Sequence, residues 1–502
     1  MTYNNPIIHA DVPDPDIIRV GETYYMTSTT MYFTPGCPIM KSTDLINWQL
    51  VGYVYSMLDS NDYMNLAAGK HDYGRGSWAS CLRYNNGIFY VSFVAYNTNT
   101  TYIFTTTDIE NGPWKKNEIE GIYHDMSILF DDDGRVYMVY GGSAIKVVEL
   151  TSSATAIKPD GLNTTIIQNA DPTGQKSLAE GAHIYKLNGY YYVFIIAWPK
   201  SGSGRRIQVC YRATTIDGIY KHTVIFDDDI GFTGAGIAQG GIVDTPCGNW
   251  YMMLFQDRRA VGRTPVLLPF KWEDGWPILD IKSARKPAVP FPDTIQAAQT
   301  LSISDDFNNL QLALQWQWNH NPMPAHWSLV ARPGWLRLTT GHIATHLFDA
   351  RNTLTLRTFD TECAATIKLD TANMKDGDCA GFALLQEKYG FVGVRQQDGK
   401  KYIVAESHEG EGARIPLLQD IIYLGAGCVF ASTVAPHAPE ICSFSYSLDG
   451  DFFTDIGSSL IMVYRLSHFT GYRFAIFNYA TKSTGGFIDC DWLKVCPRAK
   501  YN

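Results

Sequence analysis

The chain is poor in charge and has none of the patterns that charge or cysteine would impose on a fold. Only 18% of its 502 residues are charged and the formal net charge is −9. No basic patch stands out, so nucleic acid is excluded as the expected partner. The ten cysteines (Cys37, Cys81, Cys210, Cys247, Cys363, Cys379, Cys428, Cys442, Cys490, Cys496) include no CxxC pair. They read as buried free thiols rather than a zinc site or a disulfide frame. No run of about 18 or more apolar residues occurs, so no membrane span is expected. The segment from Met1 to Asp16 has neither a basic n-region nor an apolar h-region, which sets a cytoplasmic expectation. Long helical periodicity is also missing.

What is present is a repeat. A glycine followed closely by aromatic and aliphatic residues recurs as Gly21-Glu-Thr-Tyr24-Tyr25, Gly87-Ile-Phe-Tyr90, Gly134-Arg-Val-Tyr137, Gly189-Tyr-Tyr191-Tyr192 and Gly248-Asn-Trp-Tyr251. The glycines are 66, 47, 55 and 59 residues apart, about the length of one four-stranded propeller blade with its connections. Turn signals such as Asn85-Asn86-Gly87 and Asp132-Asp133-Gly134 precede short alternating runs, so each echo marks a hairpin between the first two strands of a blade. The expected fold is all-β: a five-bladed β-propeller over 1–285, a proline-punctuated linker over 286–302, and a concanavalin-like β-sandwich over 303–502. With 45% hydrophobic residues, a chain of this length can bury two cores.

Nine residues before four of these glycines stand Trp78, Asp125, Glu180 and Gln239, and seven before the first stands Asp14. Equal offsets from a repeated turn put residues at equivalent places around one axis. A ring of carboxylates with an aromatic and an amide has the composition of a sugar-cleaving site, where one carboxyl protonates the leaving oxygen and another activates water. Glu180, in an apolar stretch without a nearby cation in sequence, suits the acid, and Asp125 suits the neighbour that raises its pKa. Asp14 would face them as base, with Asp11 and Asp16 competing for that role. Asp131, Asp132 and Asp133 read as turn residues despite resembling a fragment of a calcium loop.

At these residues the sequence resembles glycoside hydrolase family 43, close to its β-xylosidase and α-L-arabinofuranosidase members with a C-terminal β-sandwich. The resemblance runs through Asp14-Pro-Asp-Ile-Ile-Arg-Val-Gly, Trp78-Ala-Ser-Cys-Leu-Arg, Asp125-Met-Ser-Ile-Leu-Phe, Glu180-Gly-Ala-His-Ile-Tyr and Gly262-Arg263-Thr-Pro to Leu314-Gln-Trp-Gln-Trp-Asn-His-Asn. It implies hydrolysis with inversion, with Asp14 as base, Glu180 as acid and Asp125 as the residue that orients the acid. It further implies that Arg263 reaches the sugar and that Trp78, Phe33, Trp198 and Phe232 wall the site. No organic cofactor is implied. Many members hold a calcium ion with an axial histidine where this chain has Gln239, whose carbonyl is an acceptable hard-cation ligand, so an axial calcium is carried as an open expectation. Members with two domains often close the site with a loop from the sandwich, for which the segment from Asn478 to Gly486 is the candidate.

The expected function is therefore an inverting exo-glycosidase that releases terminal β-D-xylose or α-L-arabinofuranose from xylan- or arabinan-derived oligosaccharides, with self-association left open. The alternatives are an endo-acting arabinanase, which needs an open groove, and a non-catalytic carbohydrate-binding propeller, which needs no carboxylate trio. A protein-interaction propeller would present a broad apolar ring instead.

Overall fold

Each Gly-aromatic echo is the hairpin that joins the two innermost strands of a sheet. In the computed structural model, which describes residues 2–174, 178–200, 204–232, 234–288, 290–291, 300–359, 361–432 and 437–496, all five echo glycines have positive φ, between 63° and 82°. Asn86 and Asn188 beside them are left-handed too, as the tightest hairpins demand. The inner strands are Asp16–Val20, Cys81–Asn85, Ser127–Phe130, Leu178–Leu187 and Ile237–Asp244, and each leads a four-stranded antiparallel sheet. The first inner strand packs against the second and against the fifth, so the five blades close into a ring.

The second half forms two packed sheets. One runs Phe33–Thr34, Gln317–Asn319, Leu354–Arg357, Arg473–Ala480, Asp378–Leu385, Gly390–Gln397, Lys400–Ser407 and Gly410–Leu417. The other is built around Phe487–Cys496, Glu362–Asp370 and Ile421–Val429. Alternate residues such as Phe382, Phe474, Ile367 and Leu424 meet between them in one apolar core. The segment Ile281–Arg285 is the one α-helix among the described residues, and no described helix is long and apolar enough to cross a membrane. Most of the expected linker (289 and 292–299) lies outside the described residues. None of the ten cysteines, all of them described, forms a disulfide; eight are buried, but Cys247 is exposed and Cys496 half-buried, so the expectation of buried thiols fails at those two.

The first strand of that sandwich sheet, Phe33–Thr34, belongs to the propeller. Thr34 pairs with Trp318 and Phe33 with Asn319. Phe33 is therefore sealed inside the domain junction, with the Arg473 guanidinium 3.7 Å from its ring centre, and does not wall the sugar site as expected. Around it an aromatic cluster joins the halves. Tyr73 stacks on His468 at 4.4 Å and 2°, and the Asp72 amide donates to His320 Nε2 at 2.9 Å. Burial, with His71 adding to it, pushes His468 down to about 3, so the imidazole at this junction is neutral. Asp11 is a further staple: its carboxylate accepts from the Gly471 amide at 2.9 Å and its carbonyl from Arg357 Nε at 2.9 Å.

Gly471 lies so near the propeller that a Cβ there would sit 2.2 Å from the Val261 carbonyl oxygen. Gly471→Ala is therefore expected to destabilise the protein by about 1–3 kcal/mol through overpacking, whereas Gly412→Ala on an exposed hairpin changes stability by less than ~0.5 kcal/mol. Thermal unfolding of the two variants checks this; equal melting temperatures would show that the junction yields freely.

Candidate active site

Backbone geometry at the axis departs from ordinary strands where the offset residues stand. Asp14 (φ 49°), Asp125 (φ 47°) and Gln239 (φ 57°) are all left-handed, a conformation costing about 1–3 kcal/mol each for such residues and kept only where the surroundings enforce it. Beside Glu180 and Gln239 the strand ladder also slips, between Glu180 and His183 and between Ala238 and Gly240. Such bulges re-aim a side chain off the strand's alternation. Glycine at 181 permits the crowding, because a Cβ there would meet the Gln239 side chain at 2.8 Å. As a result Asp14, Trp78, Asp125, Glu180 and Gln239 open on one cavity of about 320 Å³, at the small end of ligand pockets.

The charges in this cavity are arranged in two groups. On one side Arg263 directs one guanidinium nitrogen to both oxygens of Asp14, at 2.7 and 2.9 Å, and the Thr29 hydroxyl donates to the same carboxylate at 2.6 Å. Its other terminal nitrogen donates to the Phe469 carbonyl at 3.0 Å. On the other side His124 Nε2 lies 3.0 Å from Glu180 Oε2 and 3.7 Å from Asp125 Oδ2. Gln239 Nε2 donates to Asp125 at 3.3 Å. Burial, with Glu180 and Asp14 adding to it and His124 opposing, pushes Asp125 up to about 6. Burial pulls His124 down, but Asp125, Glu180 and Asp14 outweigh it and lift the imidazole to about 9. Arg206, lowered to about 10 by burial and then by Arg263, pairs with Asp257 and lies 5.0 Å from the Trp198 ring centre.

Of the three aspartates weighed for the base position, Asp14 alone reaches the cavity. Asp16 is fully buried, bound by Arg83 at 2.7 Å and the Leu82 amide at 2.8 Å. Burial works against its charge, yet Arg83 and His183 hold it well below the usual carboxylate range. Asp11 is the domain staple already described. Trp78 and Trp198 wall the cavity, whereas Phe232 is a core side chain with Arg258 4.4 Å from its ring centre, so neither Phe33 nor Phe232 is a wall. Asp131 is more than a turn residue, since its buried carboxylate accepts from Lys186 and the Tyr191 hydroxyl.

The sandwich closes the cavity with a different segment from the expected one. Tyr464, Leu466 and Phe469 line it, and Phe469 lies 4.8 Å from Trp78 between ring centres. Asn478 is buried and donates to the Leu338 carbonyl, while Thr340 donates to the Gly486 carbonyl. The two segments flank the strand Arg473–Ala480, which at roughly 3.3 Å per residue separates its ends by about 25 Å; the end before Arg473 meets the propeller. The sequence reading also missed His124 and Arg206. His124 directly precedes an offset residue, and that adjacency was the available signal; Arg206 stands at no shared offset.

The axial groups bear on cation binding. Gln239 turns its amide nitrogen, not its oxygen, toward Asp125, and Asp16 is already taken by Arg83 and His183, so the axial groups fit calcium poorly and no step below uses it. His124, Asp125 and Glu180 bring three potential ligand atoms within 4.8 Å, but His124 already bonds Glu180.

Comparison with known proteins bears on this geometry. Residues 3–277 match the model of glycosyl hydrolases family 43, and residues 304–496 match the beta xylosidase C-terminal concanavalin A-like domain. A beta-xylosidase of Formosa agariphila is 29% identical over 98% of this chain and 90% of its own. A non-reducing end alpha-L-arabinofuranosidase of Bacteroides ovatus is 29% identical over 67% of this chain and 65% of its own. Among solved structures, a bifunctional GH43-CE protein of Bacteroides eggerthii has TM-score 0.92 and 47% identity, covering 99% of this chain; the chain spans 64% of that longer protein.

The raised carboxyl makes a stability prediction. Asp125 has a folded pKa of about 6 against 3.8 unperturbed, so its contribution to stability is whole below about pH 4 and lost as pH rises through about 6. Asp125→Asn is expected to melt ~2–4 °C above wild type at pH 8 and with it at pH 4, as scanning calorimetry would read; a lower melting temperature at pH 8 would contradict the burial cost.

Proposed function

The chain belongs to glycosyl hydrolases family 43 and is a glycoside hydrolase, and from that premise we propose that it removes single terminal pentoses, β-D-xylose or α-L-arabinofuranose, with inversion. The observation that carries this reading is the pocket itself, a cavity of about 320 Å³ with Asp14 and Glu180 on its walls and Tyr464, Leu466 and Phe469 from the second domain across it. A groove for an internal stretch of polymer needs both sides open; this arrangement favours a chain end, which argues against an endo-acting arabinanase.

In the proposed reaction a water molecule attacks the anomeric carbon and gives its proton to Asp14, while Glu180 protonates the glycosidic oxygen as the bond to the leaving sugar breaks. Inversion calls for about 6.5–9.5 Å between the two carboxyls, room for the attacking water. The paired nitrogen of Arg263 aims Asp14. Its second nitrogen, tied to the Phe469 carbonyl, sets the cap at a fixed distance from the base. Asp125 holds Glu180 in place through the His124 imidazole. Trp78, with Phe469 beside it, offers an apolar face to the sugar ring. The partner is thus an oligosaccharide. The xylosidase and arabinofuranosidase relatives support both pentoses, whose hydroxyls such a pocket meets in similar positions.

The test is hydrolysis of 4-nitrophenyl β-D-xylopyranoside and α-L-arabinofuranoside with the product anomer followed by NMR. Asp14→Asn is expected to lose ~10²–10⁴-fold in kcat on these substrates, Glu180→Gln to lose as much on xylobiose, whose leaving sugar needs the acid's proton, and the first-formed sugar should have inverted configuration. An inactive wild type that still binds xylo-oligosaccharides would replace this reading with a binding protein, and retained configuration would overturn the roles of Asp14 and Glu180. Phe469→Ala is expected to raise KM by ~10-fold or more with a smaller change in kcat, as lost stacking would.

A further inference from the structure

Glu180 is not alone in its corner of the pocket. His124 Nε2 bonds its carboxylate at 3.0 Å, and His124 Nδ1 is in turn bonded by the Tyr96 hydroxyl at 2.8 Å. Tyr96 is 40% exposed, so the chain Tyr96–His124–Glu180 runs from the surface to the reacting carboxyl. Trp78 flanks both rings, 5.1 Å from Tyr96 and 5.7 Å from His124, which fixes their planes. Nothing in the roles assigned above uses either residue as a proton carrier.

We infer that His124 is the positioning residue that shares one proton with the general acid and resupplies it to Glu180 from Nε2, with Tyr96 holding Nδ1 in place. The inference rests on the glycosidase reading and extends it. The balance is simple. In each turnover Glu180 gives one proton to the glycosidic oxygen, the C–O bond breaks, and the attacking water leaves one proton on Asp14. Asp14 returns its proton to solvent. Solvent then returns one proton to the His124–Glu180 pair and the Nε2 proton moves to Glu180, while Nδ1 keeps its own proton against the Tyr96 oxygen throughout. Imidazolium with carboxylate and imidazole with carboxylic acid contain the same single proton, so the pair is ready in either form.

The surroundings favour storage. Asp125 lies beside the ring on its own segment, Glu180 faces it from the next blade and Asp14 from across the axis, while the cations Arg206 and Arg263 stand on the far wall. Three carboxylates around one imidazole stabilise its charged form, in line with its lift to about 9. Because Glu180 and His124 share one proton, the alkaline limb of activity belongs to the pair rather than to a carboxyl alone.

The test compares xylobiose, whose leaving sugar needs a proton, with 4-nitrophenyl β-D-xylopyranoside, whose nitrophenolate leaves nearly unaided. His124→Gln keeps an N–H donor but cannot titrate. It is expected to lose ~10–100-fold in kcat/KM on xylobiose and less than ~5-fold on the nitrophenyl substrate. The alkaline limb of its pH profile should move down by about one unit or more. Tyr96→Phe should move the limb the same way by less. Equal losses on both substrates with the limb in place would overturn the inference and leave His124 a structural spacer. Should His124→Gln not fold, Tyr96→Phe decides alone, and an unmoved limb overturns the inference. A wild type inactive on both substrates overturns the glycosidase reading and this one with it; an active wild type with unaffected variants overturns this one only.

Discussion

The guanidinium of Arg263 holds the pocket together. One of its nitrogens is spent on both oxygens of Asp14 and the other on the Phe469 carbonyl, while its own amide donates to Asp11 at 2.8 Å. Asp11 in turn binds Gly471 and Arg357 in the sandwich. A single residue, through side chain and amide together, therefore couples the base, the cap and the domain junction. Burying a guanidinium is costly unless its donors are matched; here the partners of the two terminal nitrogens come from both halves of the molecule, while Nε meets no acceptor among the described residues. The base would lose its aim and the cap its anchor in the same event.

Around that clamp the propeller supplies position rather than chemistry. Its five inner strands converge near an axis where side chains would collide if each kept the regular alternation. Left-handed backbone at Asp14, Asp125 and Gln239, and bulges beside Glu180 and Gln239, turn these side chains inward together. The carboxylates so gathered would repel one another, and the field is balanced by cations from three places: His124 next to Asp125, Arg206 from the fourth blade and Arg263 from the fifth. Lower down the axis Asp16 and Arg83 form a separate buried pair, so the structural and the reactive charges do not compete for partners.

How much of this was legible in the sequence follows from what is local. Hairpins are local, so the Gly-aromatic echo revealed the blades and, by a constant offset, Trp78, Asp125, Glu180 and Gln239. Asp14 was found as an ambiguous member of an aspartate triplet, because only the three-dimensional partners separate it from Asp11 and Asp16. Phe33 was misread since the strand it joins begins at Gln317, a pairing no local pattern announces. The cap was sought at the wrong end of Arg473–Ala480, because a strand's direction relative to the other domain leaves no mark in composition. Phe232 was misread for the plain reason that an aromatic on a core face and one on a pocket wall look alike.

The strand Phe33–Thr34 carries a consequence for the order of assembly. Thr34 donates its hydroxyl to the carbonyl of His320, 286 residues later in the chain, and pairs along the edge of a sheet whose neighbouring strands are later still. As the chain emerges from a ribosome, the first blade can close its four strands early, but this short ribbon has no partner until the greater part of the polypeptide has followed. Contacts so distant in sequence close late and slowly. During that interval Phe33 and the aromatic cluster beside it stand uncovered, a sticky surface on an otherwise finished propeller. Full-length translation, and not merely a folded first half, is what hides it.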